Sequence, residues 1–72
     1  MSQSDAEIEL TEALYRAANS HYGAAYATSD IGRALALAFR VRAALADSEL
    51  ATLTLTRSPT TPNELWIVKS QA

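Results

Sequence analysis

A chain of 72 residues with a net charge of −2 and no cysteine forms one domain with a modest core, without disulfides or thiolate-bound metal. The single histidine, His21, cannot close a zinc site alone, and no cofactor is expected. The acidic balance argues against a strongly cationic nucleic-acid binder, and no apolar run approaches the ~20 residues that span a membrane. The start Met-Ser-Gln-Ser-Asp lacks the basic and hydrophobic regions of a secretion signal, so the expected location is the cytoplasm of a bacterium or of a phage-infected cell.

The first helix is expected from Asp5 to Asn19. Ser4 or Asp5 caps it, and acids in its first turns complement the helix dipole. At 100° per residue, Leu10, Ala13, Leu14, Ala17, Ala18 and His21 fall on one stripe. Ile8, Tyr15 and Tyr22 make a second line at spacing seven, which extends the core or meets a partner. Asn19-Ser-His-Tyr-Gly23 reads as a helix end, with Gly23 able to take φ > 0. Ala24–Ala27 is ambiguous.

Thr28-Ser29-Asp30 is a helix start signal. Propensity makes Ile31–Ala46 one continuous helix, which puts Arg42 in the middle of the face shared by Ile31, Leu35, Ala38 and Leu45. An arginine can snorkel out of such a face. A break near Ala36-Leu37-Ala38 would instead reset the register, so that a short helix from Phe39 buries Val41 and Leu45 and exposes Arg40, Arg42 and Ala43. Both models stand on the sequence.

At Asp47-Ser48 the pattern changes from helical to alternating. Leu50–Arg57 reads as a strand, with Leu53 and Leu55 on one side and Thr52, Thr54 and Thr56 on the other. Ser58–Glu64, with two prolines, is a loop, and Leu65–Lys69 is a second strand. Leu65, Ile67 and either Trp66 or Val68 complete its inner face. Ser70-Gln-Ala is expected to fray. The fold class is α+β: two or three N-terminal helices within 5–46, followed by a C-terminal antiparallel β-hairpin within 50–69, in a single domain over 1–72.

The charges are segregated. Residues 1–12 carry Asp5, Glu7, Glu9 and Glu12 and no base, whereas residues 31–46 carry Arg33, Arg40 and Arg42 and no acid. Catalytic signatures are missing. The two glycines, Gly23 and Gly32, make no phosphate-cradling loop. His21 and Ser20 are neighbours that do not face each other on a helix, so His21 reads as a packing or capping residue. The helix 1 acids do not converge on one inward face.

The stretch Thr28-Ser-Asp-Ile-Gly-Arg-Ala-Leu-Ala-Leu-Ala-Phe-Arg-Val-Arg-Ala-Ala-Leu45 resembles the helix-turn-helix of winged-helix DNA-binding proteins. Ile31, Ala34 and Leu35 match the first helix, Ala36-Leu37 stands at the turn, and a recognition helix would start near Phe39. Residues 6–69 follow that family's element order, with a wing at Ser58–Glu64. Three departures are a turn one residue short, Ala36 in place of the customary Gly and a compressed segment after Leu45.

The resemblance implies a small DNA-binding regulator. Arg40 and Arg42 would meet base edges, with Arg33 on the neighbouring helix and Arg57 and Lys69 at phosphates. So few basic groups imply a homodimer. The alternative is a non-catalytic inhibitor or adaptor with a single protein partner, antitoxin-like or phage-encoded. It would bind through Tyr15, Tyr22 and Tyr26, the Thr-rich strand edge or the acidic face of helix 1. A helix break at Ala36–Phe39 favours DNA, and continuity favours the adaptor.

Overall fold

The computed structural model describes residues 4–69; the expected fraying of Ser70-Gln-Ala lies outside them. The protein is mixed α+β. In chain order it has α1 (Asp5–Ala18), β1 (Gly23–Ala27), α2 (Ile31–Leu45), α3 (Ser48–Ala51), β2 (Leu53–Arg57) and β3 (Glu64–Lys69). The strands form one antiparallel sheet in the order β1-β3-β2.

α1 starts with a capping box. The Glu7 backbone N–H donates to Ser4 Oγ at 3.2 Å, and the Ser4 N–H donates back to Glu7 Oε1 at 3.5 Å. Its stripe Leu10, Ala13, Leu14 and Ala17 is fully buried. The helix ends at Ala18, so His21 lies beyond the stripe and is exposed, contrary to the packing role expected of it. The Ser20 hydroxyl accepts from the Tyr22 and Gly23 N–H groups, each at 3.3 Å, and turns the chain into β1.

β1 is the main departure from the sequence expectation, which left Ala24–Ala27 ambiguous and gave the sheet only a hairpin. Alanine favours helix intrinsically, but five residues between two turns make no stable helix. Pairing with β3 decides the outcome. Gly23 does have positive φ, at 122°, yet it opens this strand; α1 closes on Asn19 with an ordinary φ of −93°. A Cβ at Gly23 would stand 2.2 Å from the Ile67 carbonyl oxygen, so glycine is what lets β1 approach β3.

α2 is one uninterrupted helix, which decides between the two sequence models. Asp30 caps it, accepting from the Arg33 N–H at 3.1 Å. Ala34, Ala38 and Val41 are buried, and Ile31, Leu35 and Leu37 pack beside them. Leu45 remains 37% exposed instead of joining the core. The helix stops at Ala46, a left-handed residue with φ 50°, and Asp47 caps α3 by accepting from the Glu49 N–H at 2.9 Å. Leu50, expected to begin a strand, sits in this single turn and is fully buried; β2 starts only at Leu53. The alternation that reads as strand from Leu50 is overridden by the Asp47 cap and by the pull of the core on Leu50.

In the 58–63 loop Ser58 Oγ accepts from the Thr60 and Thr61 N–H groups at 3.3 and 2.9 Å, and Asn63 takes φ 60°. Leu53, Leu55, Leu65 and Ile67 face α1 and α2 and are buried. Trp66 and Val68 both point to the opposite face, so neither joins the inner face as expected.

Replacing Gly23 by Ala is expected to destabilise the fold by about 1–3 kcal/mol, because the new Cβ meets backbone and the φ is strained. Gly32→Ala, where the added Cβ would meet only Asp30 Oδ1 at an ordinary 3.9 Å, is expected to stabilise by about 0.5–1 kcal/mol. Urea denaturation of the two variants measures both effects.

Candidate interaction surfaces

The arginines expected to act together are separated by the fold. On the continuous α2, Arg42 lies at the margin of the inward face. Its guanidinium donates to the Leu53 carbonyl and lies 5.1 Å from the centre of the Phe39 ring. The hydrogen bond satisfies a β2 carbonyl that points away from the sheet, so Arg42 is committed to holding α2 against β2. Arg33 and Arg40, seven residues apart, share an exposed face of α2. Arg40 also lines a shallow recess with Glu7 and Thr11 of α1.

Arg57 and Lys69 lie at opposite ends of the hairpin, Arg57 paired with Leu65 and Lys69 with Leu53. The Lys69 Nζ donates to the Ser20 carbonyl at 3.4 Å. The structure therefore brings Arg33 and Arg40 together and leaves Arg57 and Lys69 apart from each other.

The three tyrosines also divide. The Tyr15 hydroxyl donates to Asp47 Oδ2 at 3.0 Å and ties α1 to the α2–α3 junction. The Tyr26 hydroxyl donates to Glu9 Oε1 at 2.9 Å and ties β1 to α1. Each bond favours the neutral phenol. The Tyr15 hydroxyl is held above its ordinary range first by its bond to the Asp47 carboxylate, and Tyr26 is raised first by burial and then by Glu9. Tyr22 is 79% exposed, with His21 edge-on to its ring at 5.0 Å.

Sequence reasoning missed the outer face of the sheet. By register, Ala25 lies beside Trp66, which lies beside Thr56; Gly23 lies beside Val68, which lies beside Thr54. α1 and α2 pack on the other face, and no described element packs over this layer, in which Ala25, Thr54 and Thr56 are exposed and Trp66 and Val68 are half-buried among them. The Trp66 indole N–H donates to Glu64 Oε1 at 2.6 Å, which satisfies its one polar group and leaves its apolar surface for contact. The signal was legible: Leu65-Trp-Ile-Val68 is apolar on both sides of a strand, a pattern of two-sided burial.

Among the described residues no group of three or more His, Asp or Glu side chains is placed to hold a metal, and no helix is long and apolar enough to cross a membrane.

Replacing Arg42 by Ala is expected to destabilise by about 1–3 kcal/mol, since it strips the Leu53 carbonyl of its donor and uncovers Phe39; thermal unfolding measures it. Tyr15 and Tyr26 have raised values in the folded state, so their contribution is complete below pH ~10, the unfolded tyrosine value, and is lost as pH rises through the folded values. Stability should therefore fall above pH ~10. Tyr15→Phe with Tyr26→Phe should flatten that decline in denaturation midpoints measured against pH.

Compared with family models, curated proteins and solved structures, the chain gives no match.

Proposed function

We propose that this protein is a small non-catalytic protein-binding module, an inhibitor or adaptor, that receives one partner on the outer face of its sheet. The observation that carries this reading is the outer sheet layer, free of any described helix, in which half-buried Trp66 and Val68 stand beside exposed Ala25, Thr54 and Thr56. A Trp flanked by small and hydroxyl side chains suits an interface centre: it supplies a large rigid apolar surface, while its neighbours allow close approach. The continuity of α2 supports the same reading, because it leaves no short recognition helix beginning at Phe39.

A second reading is a winged-helix-like DNA-binding regulator. Arg33 and Arg40 on one exposed face of α2 favour it, together with the 58–63 loop between the hairpin strands at the wing position. The engagement of Arg42 with Leu53 reduces the basic surface such a regulator would present.

The test is affinity capture from a lysate of the source cells. Wild type should retain one stoichiometric protein; Trp66→Ser should lose it by tenfold or more in affinity, about 1.4 kcal/mol. Arg33→Ala with Arg40→Ala should keep it. Fluorescence anisotropy with random duplex DNA separates the second reading. Binding at about 1–100 µM that weakens steeply with salt, and that disappears in the Arg33/Arg40 variant, would transfer the function to DNA.

A further inference from the structure

The two edges of the sheet differ in how they are finished. Thr28 N–H donates to the Asn63 carbonyl at 2.9 Å, which sets the alternation of the β1–β3 ladder. Ala24 and Tyr26 therefore turn their backbone groups toward β3, and Gly23, Ala25 and Ala27 turn theirs outward. The Ser58 N–H bond to the Glu64 carbonyl at 3.0 Å sets the other ladder, so Leu53, Leu55 and Arg57 face outward on β2. The β2 edge is guarded: Arg42 occupies the Leu53 carbonyl, Arg57 stands at its end and Pro59 follows. β1 has no charge, no proline and no long side chain on its outward-bonding residues, and only the Gly23 N–H is engaged, by Ser20.

We propose that the β1 edge pairs with β1 of a second copy of this chain, antiparallel about a two-fold axis at Ala25. The edge is self-complementary in that register. Ala25 exchanges both of its outward bonds with its symmetry mate, and the Ala27 N–H donates to the Gly23 carbonyl of the other copy, and the reverse, without displacing Ser20 from the Gly23 N–H. Such an interface is isologous and closed.

The side chains fit the same register. Residues directly opposite are Ala25 with Ala25, Gly23 with Ala27 and Ala24 with Tyr26, so no like charges meet and the one bulky side chain, Tyr26, stands against an alanine. Tyr22 falls opposite Thr28 of the other copy, which gives the most exposed large apolar side chain among the described residues a neighbour. Charge complements the pairing. α1 carries Glu9, bonded to Tyr26 of β1, with exposed Glu12 and Arg16 following at helical spacing. Two α1 helices related by the axis run antiparallel and bring Glu9 of one copy toward Arg16 of the other. A five-residue edge buries less than the ~800 Å² per partner of a standard interface, so the association is of micromolar order. The inference stands on the strand edge and is independent of what the sheet face binds.

Sedimentation velocity across about 5–500 µM, spanning micromolar association, reads it. Wild type should pass from monomer to dimer. Ala25→Lys sets two ammonium groups across the axis, and Ala25→Pro removes the central outward donor without touching a bond to β3. Each should raise the dissociation constant at least tenfold while leaving the circular dichroism spectrum unchanged. A third variant works even if those two misfold. Ala25→Cys places two thiols on opposed residues with Cα atoms about 5.5 Å apart and should oxidise to a covalent dimer, whereas Thr54→Cys on β2 should not. Wild type that stays monomeric throughout overturns the proposal. So does a dimer that survives both folded Ala25 variants, or equal cross-linking from Thr54→Cys.

Discussion

β3 carries hydrogen bonds on both sides, and nearly every other element is placed by it. Its Leu65 and Ile67 are fully buried against the helices. Its carbonyls at Ile67 and Glu64 serve opposite neighbours: the first is where β1 closes in through Gly23, the second accepts from Ser58 beyond β2. A central strand of this kind must have its partners in one register, because a one-residue slip would move Leu65 and Ile67 to the solvent face and Trp66 and Val68 to the core. The two ladder-closing bonds, Thr28 to Asn63 and Ser58 to Glu64, flank the same loop and pin that register from both sides.

Because the chain is short, its core is one layer deep. α1 and α2 cover a single face of the sheet, and among the described residues no element packs on the other. That arrangement produces the surface on which the functional reading rests, the outer sheet face bearing Trp66, and leaves two strand edges beside it. The helices manage one edge through Arg42, which joins α2 to β2 where it might otherwise have faced solvent or a phosphate. The internal tethers Tyr15–Asp47 and Tyr26–Glu9 do a similar job for α1 and engage the hydroxyls of two of the three tyrosines within the frame.

Sequence patterning located the helices well. The Ser4 cap, the Leu10/Leu14 stripe and the Asp30 start are local signals, and the structure uses each of them. Strand alternation gave β2 and β3 within a few residues, missing only that Asp47 caps a helical turn before β2. The candidate site was less legible. The basic residues were visible as a cluster along the chain, but whether Arg42 faces solvent depends on where Leu53 lies in space. The apolar doublet Trp66/Val68 was visible, while its lack of cover is a property of the whole layer arrangement.

What the sequence determined by itself was therefore the local set: where helices are capped, which stripe of α1 is apolar, where the chain alternates and where prolines interrupt it, all consequences of interactions within a few residues. Tertiary structure decided the rest. Ala24–Ala27 is a strand because β3 offers it partners that a five-residue helix lacks, and Gly23 is required because a backbone carbonyl from a strand more than forty residues away occupies the space of a Cβ. Long-range hydrogen bonding and close packing act between segments whose separation in sequence carries no record of their meeting, and for that reason the sheet's third strand and its exposed face emerged only with the fold.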